Sequence, residues 1–462
     1  MIYTFFAFQR YCLGSKSDVS KVIAGMDWQE LYSFASKQAL LGLCFEGIER
    51  LGKEYPEELK QNPIGRELLM TWMGKAQQIR RQNMKVNAVA SKLFSMLRED
   101  GMRCCVLKGQ GNALMYPNPY SRTPGDIDVW IDASRERIME YAQKKFELGD
   151  DIRLQHLETS LDGVPVELHF FPCSMNNPIY HARLQKWFRR NADLQRSHIV
   201  RLPDGAGDIA IPTTAFNVVY QLTHLYHHFF DEGIGMRQII DYFLVVNDFS
   251  KNVFLDTDFS NHPVPLSKEG STAFPKPLSP QGTGDVTAPS RCSEPLRSKD
   301  GGASKPSPDC AGWDRRGVSG DTNSVSCSSG SSITSVSSAS TTDSSASTAL
   351  DVVQRELKYL GLWKFAGAVM YVLKEVLGLS EDKMIVPMDE KRGRLLLAEI
   401  LDGGNFGRHF TKYAGFTHQS MGKKYFLKIW RNMHFVRYYP AEALCEPLFR
   451  TWHFFWRLKY KK

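Results

Sequence analysis

Between Met102 and about residue 205, the spacing of apolar residues shifts from a helical period to strict alternation. That shift confines the chain to folds that combine a small sheet with helices. Met102-Arg103-Cys104-Cys105-Val106-Leu107 reads as a short buried strand entering a glycine turn at Lys108-Gly109-Gln110-Gly111. Asp126-Ile127-Asp128-Val129-Trp130-Ile131-Asp132 alternates, as does Val164-Pro165-Val166-Glu167-Leu168-His169-Phe170, and both read as half-buried strands. The helical pattern ERIMEYAQKKFEL, residues 136–148, lies between them. Residues 101–205 are therefore expected to form an α+β core, a small mixed sheet with helices.

On both sides the period is helical. Within residues 1–100, Leu31, Phe34, Ala35, Ala39 and Leu40 recur at helical spacing, and a second pattern over residues 65–100 ends at the C-cap candidate Gly101. Residues 206–249 return to helix, and a C-terminal helical region is expected over residues 350–462. Residues 250–349 between them are dominated by Ser, Pro, Gly and Thr. Such a stretch buries too little apolar surface to offset its ordering entropy, so a long disordered insertion is expected there. A surface loop carries it cheaply, because closure entropy grows only logarithmically with length.

The formal charge of +8 tilts the chain toward polyanionic partners such as nucleotides. The last forty residues interleave aromatics with Lys and Arg. The favoured reading there is an amphipathic helix packing its Trp and Phe on the core, with nucleic acid or a membrane surface the less favoured one. The nine cysteines are scattered, odd in number and lack a Cys-x-x-Cys pair, which fits reduced thiols. No basic residue precedes the short apolar run at the start, and Lys374 and Glu375 break the best candidate membrane span. The expected location is cytoplasmic.

The chemistry concentrates around one strand. Asp126 and Asp128 share a face, about 7 Å apart, while Ile127, Val129 and Ile131 face the other way. Two such carboxylates repel unless a cation sits between them, and Mg²⁺ suits them, with Mn²⁺ as the alternative. On the downstream strand Glu167 and His169 share a face. If that strand lies beside the first, Glu167 completes a carboxylate triad able to hold an ion and accept a proton. Upstream, Lys108, Gly109 and Gln110 open a short helical pattern whose free N–H groups suit phosphate oxygens, and Lys108 and Arg122 add positive charge. His169, His224, His228 and Arg237 are candidate pocket-lining residues. His224 and His228 share one helical face but lack the glutamate of a zincin signature, and Arg237 is spaced to pair with Asp241.

Glycine turn, short helix, Asp-x-Asp strand and later acidic strand together resemble the nucleotidyltransferase superfamily that includes polymerase beta and the aminoglycoside nucleotidyltransferases. More narrowly, Leu107-Lys108-Gly109, the Tyr116-Pro117-Asn118-Pro119 segment, Arg122 and Gly125-Asp126-Ile127-Asp128-Val129-Trp130-Ile131 resemble a bacterial family of uncharacterised nucleotidyltransferases. The resemblance extends to residues 27–38, residues 223–241 and the basic C-terminal end. One departure is Gln110, which follows Gly109 where the superfamily usually has a Gly-Ser or Gly-Gly pair. The resemblance implies a nucleotidyltransferase fold and a nucleoside triphosphate substrate. It also implies an Mg²⁺-dependent attack on the α-phosphorus, with Asp126, Asp128 and Glu167 as catalytic and metal-binding residues. Nothing in the sequence selects the acceptor. Two other classes share some of these features: metal-dependent glycosyltransferases that use Asp-x-Asp with a sugar nucleotide, and non-catalytic nucleotide-binding or scaffold proteins.

Overall fold

The helical-period segments become helices and the alternating ones become strands of one sheet. The computed structural model describes residues 2–16, 18–252, 342–410 and 421–460. The first hundred residues form α1 (Ile2–Cys12), α2 (Ser20–Ala24), α3 (Trp28–Lys37), α4 (Leu41–Glu54), α5 (Pro56–Gln61) and α6 (Arg66–Glu99). The core follows as β1 (Cys104–Leu107), α7 (Gly109–Ala113), β2 (Ile127–Ile131), α8 (Arg135–Lys145), β3 (Glu147–Ile152), β4 (His156–Leu161), β5 (Val164–His169), α9 (Pro178–Ser197), β6 (Ile199–Leu202) and β7 (Gly207–Ala210). Then come α10 (Thr214–Asp231), α11 (Met236–Asn252), α12 (Thr342–Tyr359), α13 (Trp363–Leu377), α14 (Glu390–Gly403), α15 (Met421–Met433), α16 (Pro440–Ala443) and α17 (Glu446–Tyr460). The insertion expected over residues 250–349 lies outside the described residues except at its edges, where α11 and α12 reach in.

Local signals account for the helix ends. Asp27 caps α3 by accepting from the Glu30 N–H, 2.9 Å away. Ala39, at φ +58°, divides the helical-period stretch into α3 and α4. Gly101, at φ +73°, ends α6 in a left-handed turn that costs glycine little.

The main sheet has the order β1-β2-β5-β4-β3. β2 and β5 run parallel, and the other pairs are antiparallel. β3 begins at Glu147, so the pattern that reads as helix through residue 148 ends early; β4 is a strand that the sequence reading does not include. β2 is also buried on both faces rather than one. Ile127, Val129 and Ile131 join Val86, Val89 and Leu93 of α6 in one buried cluster. On the opposite face Trp130 meets Phe188 of α9 and Phe216 of α10, with ring centroids 6.0 and 6.3 Å away. Helices on each side therefore exclude water from both faces, leaving one end of β2 open.

The loop before β2 is clamped from the N-terminal side. Asn83 on α6 donates to the carbonyls of Tyr120 and Arg122, at 3.1 and 2.8 Å. A Cβ at Gly42 of α4 would stand 2.3 Å from the Ser121 carbonyl oxygen, so only glycine lets α4 approach this closely. The C-terminal end departs from expectation. Trp456 packs against the sheet core, but Trp452, Phe454 and Phe455 of α17 are exposed. No described helix is long and apolar enough to cross a membrane.

Candidate active site

β1 enters the predicted turn through two consecutive residues of positive φ, Lys108 at +53° and Gly109 at +41°. A lysine in this conformation is strained, because its Cβ crowds the backbone. The turn points the Lys108 side chain across the sheet. Its Nζ lies 3.1 Å from Asp128 Oδ1 on β2 and 2.7 Å from His224 Nε2 on α10.

Strand register assembles the acidic group. Asp128 stands opposite Glu167 in the parallel β2–β5 pair, and His169 opposite His156 in the antiparallel β5–β4 pair. His169 Nε2 bridges the carboxylates, 2.9 Å from Asp128 Oδ1 and 3.1 Å from Glu167 Oε2. His156 Nδ1 lies 3.0 Å from the same Glu167 oxygen. Asp126 precedes β2, open to solvent within the cleft.

Burial and charge pull these groups in opposite directions. The surrounding cleft walls desolvate Asp126 although its side chain reaches solvent, which raises its carboxyl, and the Asp128 charge adds to it. Against burial, Lys108 and His169 hold Asp128 well below the ordinary carboxylate range. Burial raises Glu167 despite the His169 hydrogen bond, with the Asp128 charge pushing the same way. His169 is carried up to about 9 against its own burial by Asp128 and Glu167. His156 falls to about 2 through burial and the neighbouring His169 charge. Lys108 stays charged, because the carboxylates outweigh its burial.

These residues line one cleft of about 530 Å³. It brings together Lys108, Gly109, Arg122, Asp126, Asp128, Glu167, His169, His224, His228 and Arg237. Gln110 is turned away, buried, with its amide donating to Asn87 of α6. Arg122 grips Asp241 of α11, so the ion pair predicted for Arg237 and Asp241 is made by Arg122 instead. Arg122 reaches in from the clamped loop with both forks of its guanidinium, whereas Arg237 Nη1 donates to the Thr123 carbonyl, 2.9 Å away. Arg237 feels the Asp241 and Asp126 charges within the cleft without an ion pair at contact distance among the described residues.

Several lining residues escaped the sequence reading. His156 and Gln155 come from β4 and its approach, and Asn112 and Gln221 form a reciprocal amide pair between α7 and α10. The Asn405–Gly407 turn after α14 brings in Phe406, whose ring lies 5.4 Å from the His228 ring and 5.5 Å from the Arg237 guanidinium. The alternation of His156-Leu157-Glu158-Thr159 was the one local signal available for His156.

The donor chemistry suits a divalent cation. Asp126, Asp128 and Glu167 concentrate negative charge, and desolvation, with the Asp128 charge adding to it, raises the Asp126 and Glu167 carboxyls, a cost that such an ion relieves. Among the described residues, His156, Glu167 and His169 also offer ligand atoms that all lie within 4.8 Å of one another.

No curated protein matches the chain. One solved structure that does is an antigenic nucleotidyltransferase-like protein from Paracoccidioides brasiliensis. It is 16% identical, with 35% of this chain and 75% of that one covered and a TM-score of 0.24, too slight a likeness to build on. A family described as uncharacterised nucleotidyltransferase matches residues 24–259, which contain the strand register, the Lys108 turn and all three acidic residues. The chain belongs to that family of uncharacterised nucleotidyltransferases.

Proposed function

We propose that the protein transfers a nucleoside monophosphate from a nucleoside triphosphate to a hydroxyl or phosphate acceptor, with release of pyrophosphate. The observation that carries this reading is the parallel register of Asp128 with Glu167, with Asp126 just ahead, beside a cleft that also holds Lys108 and Arg237. Asp126, Asp128 and Glu167 would hold Mg²⁺, or alternatively Mn²⁺, which when bound offsets phosphate charge and polarises the α-phosphoryl group.

The chain's own residues take the remaining roles. The acceptor oxygen attacks the α-phosphorus in line, forming a new P–O bond while the bond to the bridging oxygen of the β-phosphate breaks. The electron pair leaves with pyrophosphate. Glu167, whose proton affinity is raised by burial and by Asp128, takes the proton of a hydroxyl acceptor. Lys108 and Arg237 offset charge on the triphosphate. Gly109, at φ +41°, gives the turn a left-handed backbone that glycine adopts at little cost. Arg122 acts as a positioning residue, holding α11 and the loop before β2 together. Gln110 secures the turn to α6 from behind. His224 and His228, with nitrogens 2.9 Å apart, form the opposite wall and hold Lys108 in place.

The test incubates the protein with each α-labelled nucleoside triphosphate, Mg²⁺ and a metabolite extract. Label transfer with pyrophosphate release is expected from the wild type and not from Asp128→Asn. Undiminished transfer by that variant would overturn the assignment. With sugar nucleotides in place of triphosphates no transfer is expected.

A further inference from the structure

We propose that His156, His169 and Glu167 form a mixed nitrogen–oxygen site for a divalent ion that accepts imidazole ligands, with Mn²⁺ as its probe, the ion taking the place of the proton that His169 Nε2 shares with the carboxylates. The inference deepens the nucleotidyl-transfer reading, on which it rests for the use of the ion. It adds His156, which that reading does not employ.

The first support is the spacing of the donor atoms. For metal–ligand bonds of about 2.1 Å, neighbouring ligands of an octahedron stand about 3.0 Å apart. The observed edges are 3.0 Å from His156 Nδ1 to Glu167 Oε2 and 3.1 Å from His169 Nε2 to the same oxygen, and the ligand atoms of all three residues lie within 4.8 Å of one another. Glu167 Oε2 thus lies at a corner shared by both rings.

The second support is independent. His156 is 2% exposed, and neither ring nitrogen has a hydrogen-bond partner among the described residues. Its Nδ1 sits at contact distance from Glu167 without the angle of a hydrogen bond. A buried imidazole with both nitrogens unsatisfied costs free energy unless something fills the gap, and a cation between the ring and the carboxylate would do so. Imidazole also selects among ions. Nitrogen ligands favour Mn²⁺, Co²⁺ or Zn²⁺ over Mg²⁺, which prefers oxygen alone.

The sheet explains why these three meet. His156 faces His169 across β4 and β5, and Glu167 shares the His169 face two residues earlier. β4 contributes one ligand and β5 two, so the donors are held by backbone ladders rather than by loops.

The test uses the full chain, stripped of metal by chelation, titrated with Mn²⁺ alone and followed by calorimetry and pulsed electron paramagnetic resonance. The wild type is expected to bind Mn²⁺ with nuclear modulation from two imidazole nitrogens. His156→Gln is expected to lose one of them and to weaken Mn²⁺ binding on the order of tenfold. Asp126→Asn is expected to retain both. Bound Mn²⁺ without nitrogen modulation in the wild type, or no Mn²⁺ binding at all, overturns the proposal. Both of these results are read from wild-type protein, so they stand even if His156→Gln fails to fold. Retention of both nitrogen couplings in a folded His156→Gln overturns it too. Label transfer without nitrogen coupling would sink this inference and spare the nucleotidyl-transfer reading; nitrogen coupling without transfer from any triphosphate would do the reverse.

Discussion

Arg122 holds Asp241 through two buried hydrogen bonds, Nε to Oδ1 at 2.9 Å and Nη2 to Oδ2 at 2.8 Å, and Tyr116 donates a third to Oδ1 at 2.8 Å. The pair joins the loop before β2 to α11, elements more than a hundred residues apart. Removing one partner strands a buried charge. Asp241→Ala should therefore destabilise the protein by about 3 kcal/mol or more, read as a fall in denaturation midpoint. The double variant Arg122→Met with Asp241→Leu should lose less than Asp241→Ala alone. A double variant less stable than the single one would show that the network holds more than charge.

Asp128 is expected to be the acidic residue most costly to neutralise, because Lys108 and His169 both converge on it. Asp128→Asn should lower kcat for nucleotidyl transfer about 10³-fold while leaving the fold intact, since several kcal/mol of charge stabilisation are at stake. Steady-state kinetics beside far-ultraviolet circular dichroism would check both halves.

Lys108 occupies φ +53°, ψ −130°, a conformation glycine accepts and other residues resist. Lys108→Gly should therefore be more stable than Lys108→Ala by about 1–2 kcal/mol, the reverse of the usual order. Both variants lose the contact with Asp128, so both should lose activity. Equal melting temperatures would mean that the turn relaxes when the lysine is gone.

Glu442 is 2% exposed and accepts backbone hydrogen bonds from Asn176 and Asn177 at the start of α9. Burial pushes its carboxyl from the ordinary 4.5 up to about 7, against those hydrogen bonds. The folded state therefore binds the proton more tightly than the unfolded chain, and the stability this contributes is full below pH 4.5 and lost as pH rises through about 7. Glu442→Gln should flatten the fall in melting temperature across that window, a difference on the order of 3 kcal/mol at its upper end. Parallel wild-type and variant melting curves at every pH would contradict this.

Much of the site was legible in the sequence. Alternation alone placed Asp126 with Asp128, and Glu167 with His169, because successive side chains of a strand point to opposite faces. The glycine turn announced Lys108 at the end of β1. Composition marked residues 250–349 as unlike the rest, though most of them lie outside the described residues.

What periodicity cannot supply is who stands opposite whom. The register that sets Asp128 against Glu167, and His156 against His169, joins segments by hydrogen bonds across strands and leaves no trace in local spacing. The same limit hid the partner of Arg122, which sits on α11, and the inward turn of Gln110 toward Asn87. It also hid the second buried face of β2, since only packing of α9 and α10 covers Trp130. Short-range chemistry in the chain determined which side chains were available and which way each strand would present them. Long-range packing and strand pairing decided which of them share a cleft, because those contacts depend on free energies summed over elements far apart in sequence.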